Sequence, residues 1–355
     1  MECRSLAYPK SHPYIIAGTY RYCNISKKFS VLYTSKRYNI QKCLPISKYI
    51  KFNSFFCQLA PGEEMILRFL RHLLPIILPS HSSSTSGYVM KKVQSDLDYF
   101  LPFRQHAPSL ANARREIYAD VHRLANPTGI GLFNILAFRG VFFGSPFAKS
   151  NHFRWFCGYE DWEGFMIDGK EEARKDGRIE EEYYVKQNCY GHSQKERSTN
   201  LLEGYWKQRN LWNEVFNQST KPNVRQVYRW LTSTTEEGKS KFRNIGSLSA
   251  LLICGDLVEA GLVLTPSSRE LGDLIFKVGK GAKDGMTLVG LVKNSAKGEE
   301  LCEALESLDL ALLKALSEEE KEAMGYNIIM LEHTLCKIKR LMKGISLPLL
   351  RSEIN

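Results

Sequence analysis

The stretch SEEEKEAMGYNIIMLEHTLCKIKRLMKGI, from Ser317 to Ile345, decides the class of fold. Ser317 with Glu320 three residues on makes a capping box, in which a hydroxyl and a carboxylate satisfy amides at a helix start. Behind it Met324, Ile328, Leu331, Leu335, Ile338, Met342 and Ile345 follow in alternating steps of four and three, one face of an amphipathic helix. Leu301, Leu305, Leu308 and Leu312 repeat the pattern just upstream. Two such helices bury their stripes against each other and the rest of the domain, or join two chains in a coiled coil.

The helical signals continue toward the middle of the chain. Ser267 and Glu270 make a second capping box, opening a helix over 268–278 that Gly279 closes, and another helix lies near 247–260. Val224, Tyr228 and Leu231 begin a helix after Pro222, and Leu201, Tyr205, Trp212 and Val215 recur at helical spacing before it. Upstream the pattern changes. Over 90–160 it is irregular, and the Gly/Phe-rich run from Gly129 to Gly144 lacks helix periodicity and reads as strand and turn. Gly129 and Gly131 lack the third glycine of a dinucleotide-binding loop. The charges of 160–197, among them Glu160, Asp161, Glu163, Glu171 and Glu172, interleave with Lys and Arg as on a solvated surface, with a divalent-metal site as the alternative. Trp155, Trp162, Trp206, Trp212 and Trp230 supply the body's aromatic core.

A chain of 355 residues with 43% hydrophobic and 25% charged residues fits one or two globular domains and excludes a fibrous or wholly disordered chain. The net charge of +11 is unevenly spread: residues 1–62 carry ten Lys/Arg against one acid, Glu2, a net +9. A basic arm on a nearly neutral body is therefore expected, rather than a surface that is basic throughout. The arm interleaves cations with aromatics, as in Lys36-Arg37-Tyr38 and Lys48-Tyr49-Ile50-Lys51-Phe52. It admits three readings: a nucleic-acid-binding arm, an organellar transit peptide, or an extension ahead of a start at Met65. Residues 65–79 are apolar but broken by Pro75, which suits a buried or interfacial helix, and 81–87 is a Ser-rich linker. The ordered body is expected to begin near residue 88. No apolar run approaches the roughly 18 residues of a membrane span. Nine scattered cysteines without a CxxC pair point to a reducing, intracellular compartment, the nucleus ahead of the mitochondrion.

Residues 239–253 read KSKFRNIGSLSALLI. Phe242, Ile245-Gly246 and Ala250 resemble the pattern of the helix-hairpin-helix DNA-binding superfamily: a hydrophobic residue, a glycine-hydrophobic-glycine turn and an alanine on the next helix. Asn244 stands where that pattern has its first glycine, a replacement the left-handed region tolerates. The resemblance implies sequence-independent binding of DNA backbone, with phosphate held by amides near Gly246, Ser247 and Ser249 and a turn that needs positive φ at Gly246. Lys239, Lys241, Arg243, Asn244, Arg225 and Arg229 complete the expected contact set, supplying charge beside the amino end of the helix. The run Ile245 to Leu257 also resembles the helical domains of proteins associated with hypermodified DNA bases. The same residues equally suit an ordinary helix–turn–helix joint with Ile245, Leu248, Ala250, Leu252 and Ile253 in the core.

Catalytic patterns are lacking. Asp256 follows the turn too closely to be a glycosylase aspartate, Asp273 lacks supporting surroundings, and the helix from Ser247 carries no lysine. Gly279 to Gly285 lacks phosphate-loop spacing, no histidines pair at i+2 or i+4, and a Cys189–His192 site depends on geometry beyond the sequence. The expected chain is mainly α, without cofactor or metal: a basic, disordered arm over 1–64, an apolar segment and linker over 65–87, and a mixed, aromatic and charge-rich segment over 88–197. A helical domain with the hairpin over 198–292 and a C-terminal helical pair over 293–355 complete it. Its expected function is non-catalytic binding of DNA; the alternative is an interaction protein that forms a homo-oligomer through 317–345.

Overall fold

Both capping boxes form. In a computed structural model that describes residues 59–78, 87–176, 199–216 and 220–354, Ser317 Oγ accepts from the Glu320 amide at 3.1 Å and Glu320 Oε2 from the Ser317 amide at 2.8 Å. The Ser267–Glu270 pair does the same at 3.2 and 3.0 Å. The basic arm through residue 58, the Ser-rich linker 81–86 and the Cys189–His192 pair lie outside the described residues.

The described chain is mainly helical, with α1 Pro61–Leu73, α2 Tyr88–Ser95, α3 Leu97–Phe100, α4 Pro108–Glu116, α5 Val121–Leu124, α6 Ile130–Ala137, α7 Pro146–Lys149, α8 Tyr159–Asp176 and α9 Thr199–Lys207. Then come α10 Asn213–Phe216, α11 Val224–Leu231, α12 Ser247–Glu259, α13 Ser268–Val278, α14 Ala282–Leu288, α15 Gly298–Ala315, α16 Glu318–Met324, α17 Ile328–Leu341 and α18 Leu347–Ile354. Among the described residues extended pairing is limited to the isolated bridges Asn223–Leu264 and Thr234–Ser240. All described residues belong to one unit, Cys57–Asn355. None of its described helices is long and apolar enough to cross a membrane.

The C-terminal stripes are spent inside the chain. α15 packs along α13, burying Leu301, Leu305, Leu308 and Leu312 completely. α17 packs along α14 so closely that a Cβ at Gly285 would lie 2.1 Å from the Leu335 carbonyl oxygen, an approach only glycine permits. Met324, Ile328, Leu331, Leu335, Ile338 and Ile345 are all buried. The 317–345 stretch is two helices rather than one, separated by Gly325 at φ 61°. Its face is therefore not available for the coiled coil that the homo-oligomer reading requires.

Two expectations upstream need correction. The ordered body begins before residue 88: α1 buries Met65, Ile66, Leu67, Phe69, Leu70 and Leu73 against α15 and α18. Glu63 Oε1 accepts from Ser307 Oγ at 2.7 Å, and Arg71 Nε donates to Glu320 at 2.7 Å. Second, the Gly129–Gly144 run is helical, α6 continuing into a π-turn over Phe138–Phe142. Every residue of α6 from Gly131 to Ala137 is buried, so the helix has no polar face and shows no amphipathic period.

Candidate functional site

Between α11 and α12 the connection 232–246 is an ordered loop. Lys241 N donates to Ser233 O at 2.9 Å, Thr235 N to Lys239 O at 2.7 Å, and Ser240 Oγ to Phe242 O at 2.9 Å. Phe242 is fully buried, its ring edge-on to Trp230 with centroids 4.9 Å apart. From the other side Tyr205 OH donates to Arg243 O at 2.9 Å and Gln208 Nε2 to Lys241 O at 2.5 Å. Backbone and side-chain contacts thus fix the loop from both sides, while Arg243, Gly246 and Ser247 stay exposed at its tip.

The turn conformations divide between the two expected positions. Asn244 takes the left-handed conformation at φ 62°, a region asparagine enters more readily than most side chains. Gly246 does not: at φ −90° and ψ −177° it is extended, and nothing lies within 4 Å of the Cβ it lacks. It is the N-cap of α12, a position whose dihedral angles are extended rather than left-handed, so the expected need for positive φ there is overturned. The first intrahelical bond runs from Ala250 N to Gly246 O at 2.9 Å, and glycine offers no capping side chain. The amides of Ser247, Leu248 and Ser249 therefore have no partner within the helix, at the positive end of its dipole.

The cations are less available than their number suggests. Lys239 pairs with Glu237 at 2.8 Å, Lys241 with Glu214 at 2.5 Å and Arg225 with Asp273 at 3.5 Å. Lys239, Lys241 and Arg243 lie in the loop rather than on a helix, and the Ser249 side chain is buried. Arg229 and Arg243 are exposed and have no carboxylate partner among the described residues. At the loop and the start of α12 the structure brings together Lys239, Lys241, Arg243, Asn244, Gly246, Ser247 and Ser249. Arg229 stands on α11, and Arg225 turns instead toward α13.

One charge cluster was not predicted. Asp256, fully buried on α12, accepts from Arg104, from Arg139 Nε and Nη2 at 2.5 Å each, and from Tyr118 OH at 3.0 Å. Arg104 also reaches Leu252 O at 2.9 Å and Glu259 at 3.4 Å. Burial by itself would raise the Asp256 carboxyl, but Arg139 and Arg104, with hydrogen bonds from Arg139 and Tyr118, outweigh it and hold it below the ordinary range. Both oxygens are engaged, so the carboxylate braces the core and is not a free acid or base. Its signal in the sequence was Asp256, an acid between Gly255 and Leu257 in the apolar run Ala250–Val258 of the helix. The neighbouring glycine matters, because a Cβ at Gly255 would lie 3.1 Å from Arg104 Nη2.

Among the described residues no group of three His, Cys, Asp or Glu side chains is placed to hold a metal ion. No family model, curated protein or solved structure matches the chain.

Proposed function

We propose that this protein binds the backbone of nucleic acid, duplex DNA foremost, without reading sequence and without catalysing a reaction. The contact surface is the start of α12 and the loop tip before it. One observation carries the reading: a loop pinned from both sides presents exposed Arg243, Gly246 and Ser247 at the uncapped amino end of a thirteen-residue helix. Such an end offers a phosphate several N–H donors and a favourable dipole, and a ready-made loop limits the ordering cost of binding. Contacts of this kind go to phosphate and sugar and so carry no sequence information.

The pairing of Lys239, Lys241 and Arg225 with carboxylates leaves Arg229 and Arg243 as the cations that neutralise phosphate at this site. Binding of a labelled duplex by the full chain, followed by fluorescence anisotropy from 50 to 200 mM salt, tests this, the range being one over which a phosphate contact is readable. Arg229→Gln with Arg243→Gln should lower the salt slope by up to about two contacts. Lys239→Gln with Lys241→Gln should change it less. Absent binding, or a slope indifferent to the arginine pair, defeats the proposal.

A further inference from the structure

At the opposite end of α12 from the loop tip, a cavity of about 160 Å³ lies between that helix and the carboxyl end of α4. We propose that this cavity binds a small zwitterion, an amino acid the size of glycine or alanine, with its ammonium on Glu259 and its carboxylate on Arg114. The site shares no residue with the backbone-binding surface.

Size sets the first limit. A cavity of about 150 Å³ in another protein accepts benzene, so roughly six non-hydrogen atoms fit here, enough for glycine or alanine and too few for leucine. Leu110, Ala119 and Ala260 form the apolar part of the wall, against which a methyl group packs.

Charge sets the second. Asp256 also lines the cavity, but its two oxygens are taken by Arg104, Arg139 and Tyr118, so it offers a ligand nothing. Glu259 is different. Its side chain is 8% exposed, yet only Oε2 has partners, Arg104 Nε at 3.4 Å and Arg114 Nη1 at 3.6 Å, both longer than an ordinary N–H···O bond. Oε1 accepts no hydrogen bond among the described residues, so a donor entering the cavity meets it without displacing a protein group. Arg114, 40% exposed, likewise makes no hydrogen bond among the described residues, and its fork of donors matches a carboxylate. Glu259 is the last residue of α12, where the negative end of the helix dipole favours a cation. An anion alone would face the Glu259 carboxylate, and a cation alone would enter beside Arg104, Arg114 and Arg139. A zwitterion answers both groups and adds no net charge to the core.

The test is equilibrium dialysis of the full chain against radiolabelled glycine, with unlabelled alanine, acetate, methylammonium and leucine as competitors. Glycine should bind saturably and alanine should displace it, whereas acetate, methylammonium and leucine should compete roughly ten-fold or more weakly. Arg114→Gln and Glu259→Gln should each weaken glycine binding by roughly ten-fold or more, with melting curves checking that both variants fold. Arg114→Gln stands at a partly exposed position and carries the test by itself if Glu259→Gln does not fold. Arg229→Gln with Arg243→Gln should leave glycine binding unchanged, which separates this site from the backbone-binding surface. Four results would each overturn the proposal: no saturable binding by the folded wild type, acetate or methylammonium competing as well as alanine, leucine competing as well as alanine, or a folded Arg114→Gln that binds glycine as tightly as wild type.

Discussion

Replacing Asp256 by Asn removes the charge that two buried guanidiniums share and little else. The side chain keeps its size, but one acceptor oxygen becomes an amide donor pointed at groups that donate: Arg104, Arg139 and Tyr118. Arg104 and Arg139 are 1% and 2% exposed, so neither is able to turn its charge to water without opening the core. Breaking a buried pair in this way costs about 3–5 kcal/mol, a large share of the roughly 5–15 kcal/mol that holds a domain folded. Urea unfolding followed by tryptophan fluorescence at pH 7 should show that loss as a lower midpoint. Combining the change with Arg139→Met should cost less than the sum of the single changes, because the second removes a charge the first left unpaired. The Asp256 pKa is depressed in the fold, so its stabilisation is complete above the ordinary aspartate value near 4 and is lost as pH falls through the lower folded value. A variant within about 1 kcal/mol of wild type at pH 7, or a wild-type acid limb that survives in Asp256→Asn, would refute the buried network.

Further expectations follow from the same contacts. Removing residues 1–87 takes away α1 and with it Met65, Ile66, Leu67, Phe69, Leu70 and Leu73, each contributing roughly 1.5–3 kcal/mol of burial. The shortened chain should lose its cooperative melt in calorimetry, and an intact transition would place α1 outside the core. Gly246→Val should cost about 0.5–1 kcal/mol, the loss of a good N-cap at an extended, open position, whereas Asn244→Val should cost about 1–2 kcal/mol at φ 62°. The reverse order in a melting comparison would contradict the turn assignment. His333 is depressed in the fold, so stability should be full above the ordinary histidine value near 6.5 and decline as pH falls below it. His333→Gln should flatten that decline in pH-dependent urea midpoints, and an unchanged profile would mean the ring is not buried among cations.

The elements that could be read from the sequence are those written in local code. Ser267 with Glu270 and Ser317 with Glu320 announce helix starts within one turn, and Leu301 to Leu312 declares a face because its opposite side is mostly polar, Leu310 and Leu313 excepted. Asn244 was legible for a similar reason, since few other side chains enter the left-handed region readily. α6 was not, because a helix buried on all sides has no contrast between faces. The Arg104–Asp256–Arg139 cluster joins residues 152 and 117 positions apart, and no local pattern records such a pairing. Neither does one reveal that Lys241 is matched by Glu214, 27 residues back on α10, whereas Glu237 lies two residues from Lys239 in the same loop. The basic character of 239–243 was plain; the Lys241–Glu214 pairing was a tertiary fact, and Arg243 keeps its charge unpaired by any described carboxylate.

Hydrogen exchange of the full chain, with and without a duplex of arbitrary sequence, tests the central claim most directly. The exposed start of α12 should exchange readily when free, and DNA should slow the amides of 243–249 while the buried amides of α17 change little. Exchange at 243–249 that DNA leaves untouched, under conditions where anisotropy shows the duplex bound, would contradict the assignment of α12 as the element that holds the backbone.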